Sequence, residues 1–267
     1  MLKGFSNYLK EKNLSNNTIS AYVYTIGIFD GMFKEVNKDN VLAFKGYLLE
    51  HFKVKTVNLR IQAINKYLEY LNKKDLQIKA VKIQQKPFLD NVISDADYEY
   101  LKRALKKDKN YEWYFVVRFL AATGARVSEL IQIKAEHIKL GHLDLYSKGG
   151  KTRRIYIPEA LRKEALKWLN DMKRDSGYIF LNNKGSIITT RGISIQLKKL
   201  AVKYGINPDV VYPHSFRHRF AKNFIEKYND ISLLADLMGH DSIETTRIYL
   251  RRTSTEQREI VDKIITW

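Results

Sequence analysis

Cysteine is absent from all 267 residues. No disulfide framework and no cysteine-based zinc site is therefore open to this chain. The absence fits a reducing, cytoplasmic setting. Proline is scarce, with four in all and none before Pro87, so nothing interrupts helices in the first part of the chain. No run approaches the roughly 18–20 apolar residues of a membrane span, and no membrane association is expected. The opening Met1-Leu2-Lys3-Gly4-Phe5 lacks the apolar stretch of a signal peptide. Repeats and low-complexity tracts are also missing. Acidic residues are the minority charge, 29 against 47 Lys+Arg, which leaves a net charge of +18.

That surplus points to a polyanionic partner, most often nucleic acid. It is spread along the chain. Residues 1–90 carry 15 basic and 8 acidic residues, and the remainder carries 32 and 21. Both halves are basic, which suits a protein that grips its partner with two domains and excludes a neutral enzyme with a basic tail. The length allows two domains, and 45% apolar residues can fill two cores.

The first 80 residues predict a compact unit of about four helices. Ser15 is a candidate N-cap, and Ile19, Tyr22, Val23, Ile26 and Phe29 follow at helical spacing. A second helix is expected from about Asp39 to His51. A third covers Thr56 to Leu71, with Leu59, Ile61, Ile64, Tyr67, Leu68 and Leu71 on its apolar side. Residues 74–92 have the look of a connector, punctuated by lysines and broken at Pro87. Within it Lys82 and Lys86 are candidates to lie along a phosphate backbone. The domain limits drawn on this basis are 1–80, a basic linker 81–93, and 94–267.

Ser94-Asp95-Ala96-Asp97 starts the second domain as a capping-box-like segment, with a helix to about Lys107. Another helix spans about Tyr111 to Thr123 and stops at Gly124. Residues 143–146 and 154–157 alternate apolar and polar side chains around Ser147-Lys148-Gly149-Gly150-Lys151-Thr152-Arg153, which predicts a hairpin with a basic turn. Pro158 is expected in the first turn of a helix, and Tyr178–Leu181 as a short strand. From Thr189 onward everything is expected to be helical, broken at Gly205, Pro208, Pro213 and Gly239. The fold class is mainly α with a small antiparallel β-sheet.

Five residues of this second domain suggest one chemistry. Arg126 sits in Thr-Gly-Ala-Arg-Val-Ser-Glu-Leu, His214 and Arg217 in Pro-His-Ser-Phe-Arg-His, His240 in Leu-Met-Gly-His, and Tyr249 follows. A phosphodiester repels nucleophiles by its charge and has a poor leaving group. Arginine's planar fork meets two phosphate oxygens and stays charged, which answers the first barrier. An acid at the leaving oxygen answers the second. Lys148 at the hairpin tip is the candidate acid, with Lys151, Arg153 and Arg154 as rivals or as plain phosphate contacts. Tyr249 supplies a nucleophilic hydroxyl, and a neutral histidine can accept its proton. His214 and His218 have the i, i+4 spacing of a metal pair. They lack the glutamate of a zinc-protease helix, so no metal is expected, and His218 reads as a structural residue packed behind the site.

Taken together, the set resembles the tyrosine recombinase (phage integrase) family, which includes Xer-type enzymes. The match covers about Ser94 to Leu250, and the helical first domain is similar to the family's SAM-like core-binding domain. The resemblance implies that Arg126, Arg217 and His240 hold a scissile phosphate of double-stranded DNA. Lys148 protonates the 5′ oxygen, His214 assists as base or hydrogen-bond donor, and Glu129 braces the site. Tyr249 attacks to leave a 3′-phosphotyrosine, with no metal or ATP required. It also implies four protomers on two DNA sites. The C-terminal stretch 254–267, apolar at Ile260, Val261, Ile264, Ile265 and Trp267, is expected to form a helix that docks on a neighbouring protomer, with docking on its own domain as the alternative. A type IB topoisomerase or resolvase-like strand transferase, and a DNA-binding regulator without catalysis, are the alternatives.

Overall fold

The computed structural model describes residues 2–82, 91–146, 152–240, 242–250 and 261–265. The chain divides into two compact units, Met1–Gln85 and Lys86–Trp267.

In the first unit Ser15 and Asn37 end extended segments and accept the N–H groups of Thr18 and Asn40. These caps satisfy donors that a helix start would otherwise leave unpaired. Four helices result: α1 (Leu2–Glu11), α2 (Asn16–Met32), α3 (Lys38–His51) and α4 (Val54–Tyr70). Their apolar stripes meet around Phe5, Ile26, Phe29, Phe44, Ile64 and Tyr67, all fully buried. Two expectations need correction. Leu59 lies on the outer side of α4 and is 44% exposed, because it sits two positions from Ile61 and so about 200° round the helix. Residues 74–82 do not behave as a free connector. After a 3-10 turn at Lys74–Leu76, the chain straps back along α4. The Asn65 amide brackets the backbone N–H and carbonyl of Ile78 at 3.0 and 2.8 Å. Asn58, two turns earlier on α4, brackets Val81 in the same way at 2.8 and 2.9 Å.

The second unit is built on α6 (Tyr111–Thr123), whose run Tyr114–Ala121 is buried at every position except Arg118. A helix apolar nearly all round must sit inside a domain. Around it pack α5 (Asp95–Lys107), α9 (Glu159–Asp171) and α11 (Pro213–Tyr228). Gly124 ends α6 at φ +61, and an added Cβ would lie 2.5 Å from the Phe220 ring. Only glycine fits there, and the reversal presents Arg126 at the start of α7 (Val127–Leu130). Next come α8 (Ala135–Leu140) and the hairpin strands β1 (His142–Tyr146) and β2 (Thr152–Tyr156). The strands are antiparallel, with Leu143 opposite Ile155 and Leu145 opposite Arg153.

Further on lie α10 (Thr190–Lys203) and α12 (Ile231–Met238), then 3-10 turns at Ile243–Thr245 and Arg247–Leu250. Pro158 caps α9 from outside and does not enter its first turn. Pro213 starts α11 and does not break it. Tyr178–Leu181 forms only single bridges, Lys134 to Tyr178 and Leu181 to Ile187, so no strand develops there. The fold is mainly helical with one two-stranded antiparallel sheet. No described helix is long and apolar enough to cross a membrane.

Candidate active site

The end of α12 and the turn after α6 bring separate stretches of sequence together. Gly239 leaves α12 in the left-handed region at φ 58, and the His240 N–H returns to the Ala235 carbonyl. This glycine cap folds His240 back toward α11. There Arg217, 3% exposed, donates to the Gly124 carbonyl at 2.6 Å, to the Met238 carbonyl, and to His240 Nε2 at 3.1 Å. Arginine has no acceptor, so His240 Nε2 must accept. The His240 proton then sits on Nδ1, which donates to the buried Thr246 hydroxyl at 2.7 Å.

Arg126 reaches the same place from α7, donating to the Gly239 carbonyl at 2.8 Å and to Glu129 at 2.9 Å. Its side chain stays 37% exposed, so one face is open to an incoming group. Glu129 is buried. It also accepts the Arg126 backbone N–H at 2.7 Å and the Arg153 guanidinium at 2.6 and 2.7 Å. Burial alone would raise its pKa. The charge of Arg153 and the N–H groups of Arg126 outweigh burial and hold the carboxyl below its ordinary value. Three guanidiniums around one carboxylate leave two uncompensated positive charges. A phosphodiester carries one negative charge, and attack by an oxyanion makes it two. The site is therefore charged for the transition state.

Tyr249 lies 8% exposed in this cluster. Its ring is nearly parallel to that of His240, 6.5 Å away. Its hydroxyl pairs with His218 Nδ1 at 2.8 Å. Burial pushes the phenol up to about 12, against the pull of Arg217 and Arg126. Burial, then Arg126 and Arg153, bring Arg217 down to about 10, so it remains a cation at neutral pH.

Comparisons with known proteins place the whole chain in one family. Residues 91–256 match the Phage integrase family, and residues 2–75 match the Phage integrase N-terminal SAM-like domain. Tyrosine recombinase XerA of Pyrococcus furiosus is 30% identical over 98% of this chain and 93% of its own length. The chain belongs to the phage integrase family. TnP I resolvase of Bacillus thuringiensis, 27% identical, covers 98% of both chains. The Tn1549 transposon integrase in complex with transposon right end DNA has a TM-score of 0.75 at 16% identity, over 98% of both chains. XerH bound to difH has a TM-score of 0.72 at 20% identity, over 98% of this chain and 84% of that one. As a member of the tyrosine recombinases, this enzyme breaks and rejoins DNA.

Of the integrase residues named from sequence, Arg126, Glu129, Arg217, His240 and Tyr249 are drawn together. His214, on the same face of α11, is solvent-exposed beside them, its ring 6.3 Å from that of His218. Desolvation, then Arg217 and Arg126, keep its pKa below the ordinary value. Lys148, Lys151 and Lys86 lie outside the described residues. Lys82 is exposed, and Arg154 is half-exposed in a two-pronged pair with Asp144.

Arg153 needs correction as a DNA contact. It turns inward, 11% exposed, and links Glu129 to the Leu237 carbonyl at 3.0 and 2.7 Å. Its stem crosses Gly239 so closely that a Cβ there would collide. The physical reason is that the inward face of β2 meets a buried carboxylate, which only a cation can compensate. Sequence reasoning missed three more contributors. Thr246 fixes the His240 tautomer. Ser215 accepts the Ile93 N–H at 2.7 Å and ties the domain entrance to α11. His218 was set aside, although its i, i+4 spacing to His214 was the signal that could have found it.

The histidines make stability pH-dependent. Burial first, then neighbouring positive groups, holds His218 and His240 down to about 4, against about 6.5 in an unfolded chain. Between those values the unfolded state binds more protons, so stability is complete above about pH 6.5 and falls as pH drops toward 4. Thermal melts from pH 7 to 4 should show an uptake approaching two protons on unfolding near pH 5. A His240→Gln variant should lose about half of that slope. An unchanged slope would place the protonation elsewhere.

Proposed function

We propose that this enzyme recombines DNA at a defined site, with Tyr249 as its nucleophile. What supports the reading is the gathering of Arg126, Arg217 and His240 beside Tyr249, with Arg126 reaching the Gly239 turn across 113 residues of chain. Arg126 and Arg217 hold the scissile phosphate, with Glu129 fixing Arg126 and His240 positioning Arg217. Tyr249 Oη attacks phosphorus, the bond to the 5′ oxygen breaks, and Lys148 supplies that oxygen's proton. His214, at the open side, donates a hydrogen bond to the phosphate or assists as base. The product is a 3′-phosphotyrosine. One phosphodiester is exchanged for another, so the bond energy is conserved and a 5′-hydroxyl from a partner duplex reverses the step. Similar proteins were solved in complex with DNA: the Tn1549 integrase with transposon ends and XerH with difH.

Affinity for duplex DNA draws on the +18 net charge and weakens steeply with salt. Lys82, Lys86, Lys151 and Arg154 contribute phosphate contacts. The enzyme works in the cytoplasm as four protomers on two sites. The stretch 254–267 docks on the neighbouring protomer. Within it residues 261–264 are helical, and Val261, Ile264 and Ile265 are exposed.

The test is covalent trapping on sheared genomic DNA of the source organism, with denaturation in detergent and sequencing of the adducts. A shared sequence among trapped fragments is expected. Light scattering on that sequence should then give four protomers per two duplexes. Adducts at scattered sequences would replace this reading with a DNA-relaxing activity. Binding without any adduct would favour a regulator.

A further inference from the structure

We propose that His218 is the group that takes the phenol proton of Tyr249 during attack and hands it back on rejoining. The inference rests on Tyr249 as the nucleophile and assigns a residue that the family motif does not use. A buried phenol held near 12 does not ionise in advance. Its proton must leave as the oxygen–phosphorus bond forms, to a group already within hydrogen-bond reach.

Three histidines of this cluster are candidates for the proton, and their geometry separates them. His240 has both ring nitrogens engaged, Nε2 by Arg217 and Nδ1–H by Thr246, so it has no lone pair to offer. His214 is exposed, and its ring lies 6.3 Å from that of His218. His218 Nδ1 stands 2.8 Å from Tyr249 Oη. With its own proton on Nε2, it accepts the phenol O–H directly.

The step balances. Tyr249 Oη forms a bond to phosphorus and loses its proton to His218 Nδ1, which gives an imidazolium. The bond from phosphorus to the 5′ oxygen breaks, and that oxygen takes a proton from the general acid. On rejoining, the incoming 5′-hydroxyl attacks phosphorus, the phenolate leaves, and His218 returns the proton to it.

In the free enzyme His218 is a weak base. Burial, then His214 and Arg217, depress it, and it in turn faces Tyr249 and His240. A bound phosphate offsets one of the site's two uncompensated positive charges, and so weakens the Arg217 field that helps hold His218 down. As negative charge grows on the phosphoryl oxygens, the imidazolium is increasingly favoured. The base therefore strengthens when it is needed.

The experiment is single-turnover cleavage of a duplex carrying the trapped sequence, from pH 6 to 9, with the full-length chain. His218→Gln retains a hydrogen-bond acceptor but cannot hold the proton. It should cleave about 10²-fold more slowly at pH 7, and its rate should climb about tenfold per pH unit as hydroxide replaces the base. His214→Gln should lose rate without that slope. A His218→Gln rate within about threefold of wild type, or a loss equal at every pH, would overturn the proposal in favour of simple positioning.

A second readout needs no DNA. In 15N spectra of the histidine rings, Tyr249→Phe should shift the His218 Nδ1 signal, and an unmoved signal would sink the contact itself. An adduct that persists in Tyr249→Phe would overturn the nucleophile and this inference with it. A Tyr249-dependent adduct that forms at full rate in His218→Gln overturns the inference alone.

Discussion

Tyr249→Phe is expected to eliminate the covalent adduct, a loss of at least about 10⁴-fold in cleavage, while fold and DNA affinity hardly change. The asymmetry lies in how little the substitution removes. Phenylalanine keeps the ring that packs with Ala221, Ile225, Leu234 and Met238 and the near-parallel contact with His240. It removes one hydroxyl and its hydrogen bond to His218. Such a bond contributes about 1 kcal/mol net, so the melting temperature should move by only a few degrees. The two uncompensated positive charges beside it come from Arg126, Arg153 and Arg217 against Glu129, and all four remain. Binding to a trapped-site duplex should therefore stay within about threefold, since charge dominates DNA affinity. The informative failure would be an adduct that survives. Tyr212, which caps α11 and lies close enough to Tyr249 to influence its ionisation, would then be the next candidate, and Tyr212→Phe would decide.

Local periodicity and local chemistry carried the helices and the hairpin into view from the sequence. The α6 run is apolar nearly all round and ends in a glycine. The cap at Ser15 and the alternation around the hairpin turn are equally local signals. The core of the site was legible for a different reason. Arginine, histidine and tyrosine in short distinctive segments limit the chemistry even before their distances are known.

The features that stayed hidden depend on pairs far apart in the chain. Asn58 and Asn65 strap residues 77–82 to α4. Ser215 holds Ile93 across 122 residues, and Arg153 meets Leu237 across 84. No period or composition encodes such pairs, because each is settled only when helices pack. Arg153 illustrates the cost of judging a charge by its neighbours in sequence. Among the lysines and arginines of a basic turn it looked like a phosphate contact, yet the pleat of β2 points it at Glu129. His218 failed for a subtler reason. Its spacing to His214 was weighed only against a metal, while the partner it needed was a hydroxyl 31 residues later.

Arg217→Met is expected to cost far more in catalysis than in stability, despite the burial of the side chain it replaces. The guanidinium is buried and satisfies two carbonyls and an imidazole nitrogen. Leaving such acceptors unpaired costs about 1–3 kcal/mol each. Opposing that, the cation is itself out of favour where it sits. Burial and the charges of Arg126 and Arg153 lower it from its ordinary value to about 10, and a shift of that size corresponds to about 3 kcal/mol returned when the charge is removed. Methionine also fills most of the vacated volume. The second effect offsets part of the first, and urea melts should show a net loss of no more than about 6 kcal/mol.

Cleavage has no such compensation. A donor aimed at developing phosphoryl charge in a dry site contributes about 10²–10³ in rate even when neutral, and this one is ionised. Arg217→Met should cleave at least about 10³-fold more slowly. Arg217→Lys should recover little of that, because one ammonium cannot reproduce a planar fork that spans the Gly124 and Met238 carbonyls. A variant that folds and cleaves at more than about a tenth of the wild-type rate would show that Arg217 is a tie between α6, α11 and α12, with phosphate held by Arg126 alone. A variant that unfolds outright would mean that the tie outweighs the cost of the buried charge. Partial stability loss beside near-complete catalytic loss is the pattern expected of a buried cation that is kept because the phosphate needs it.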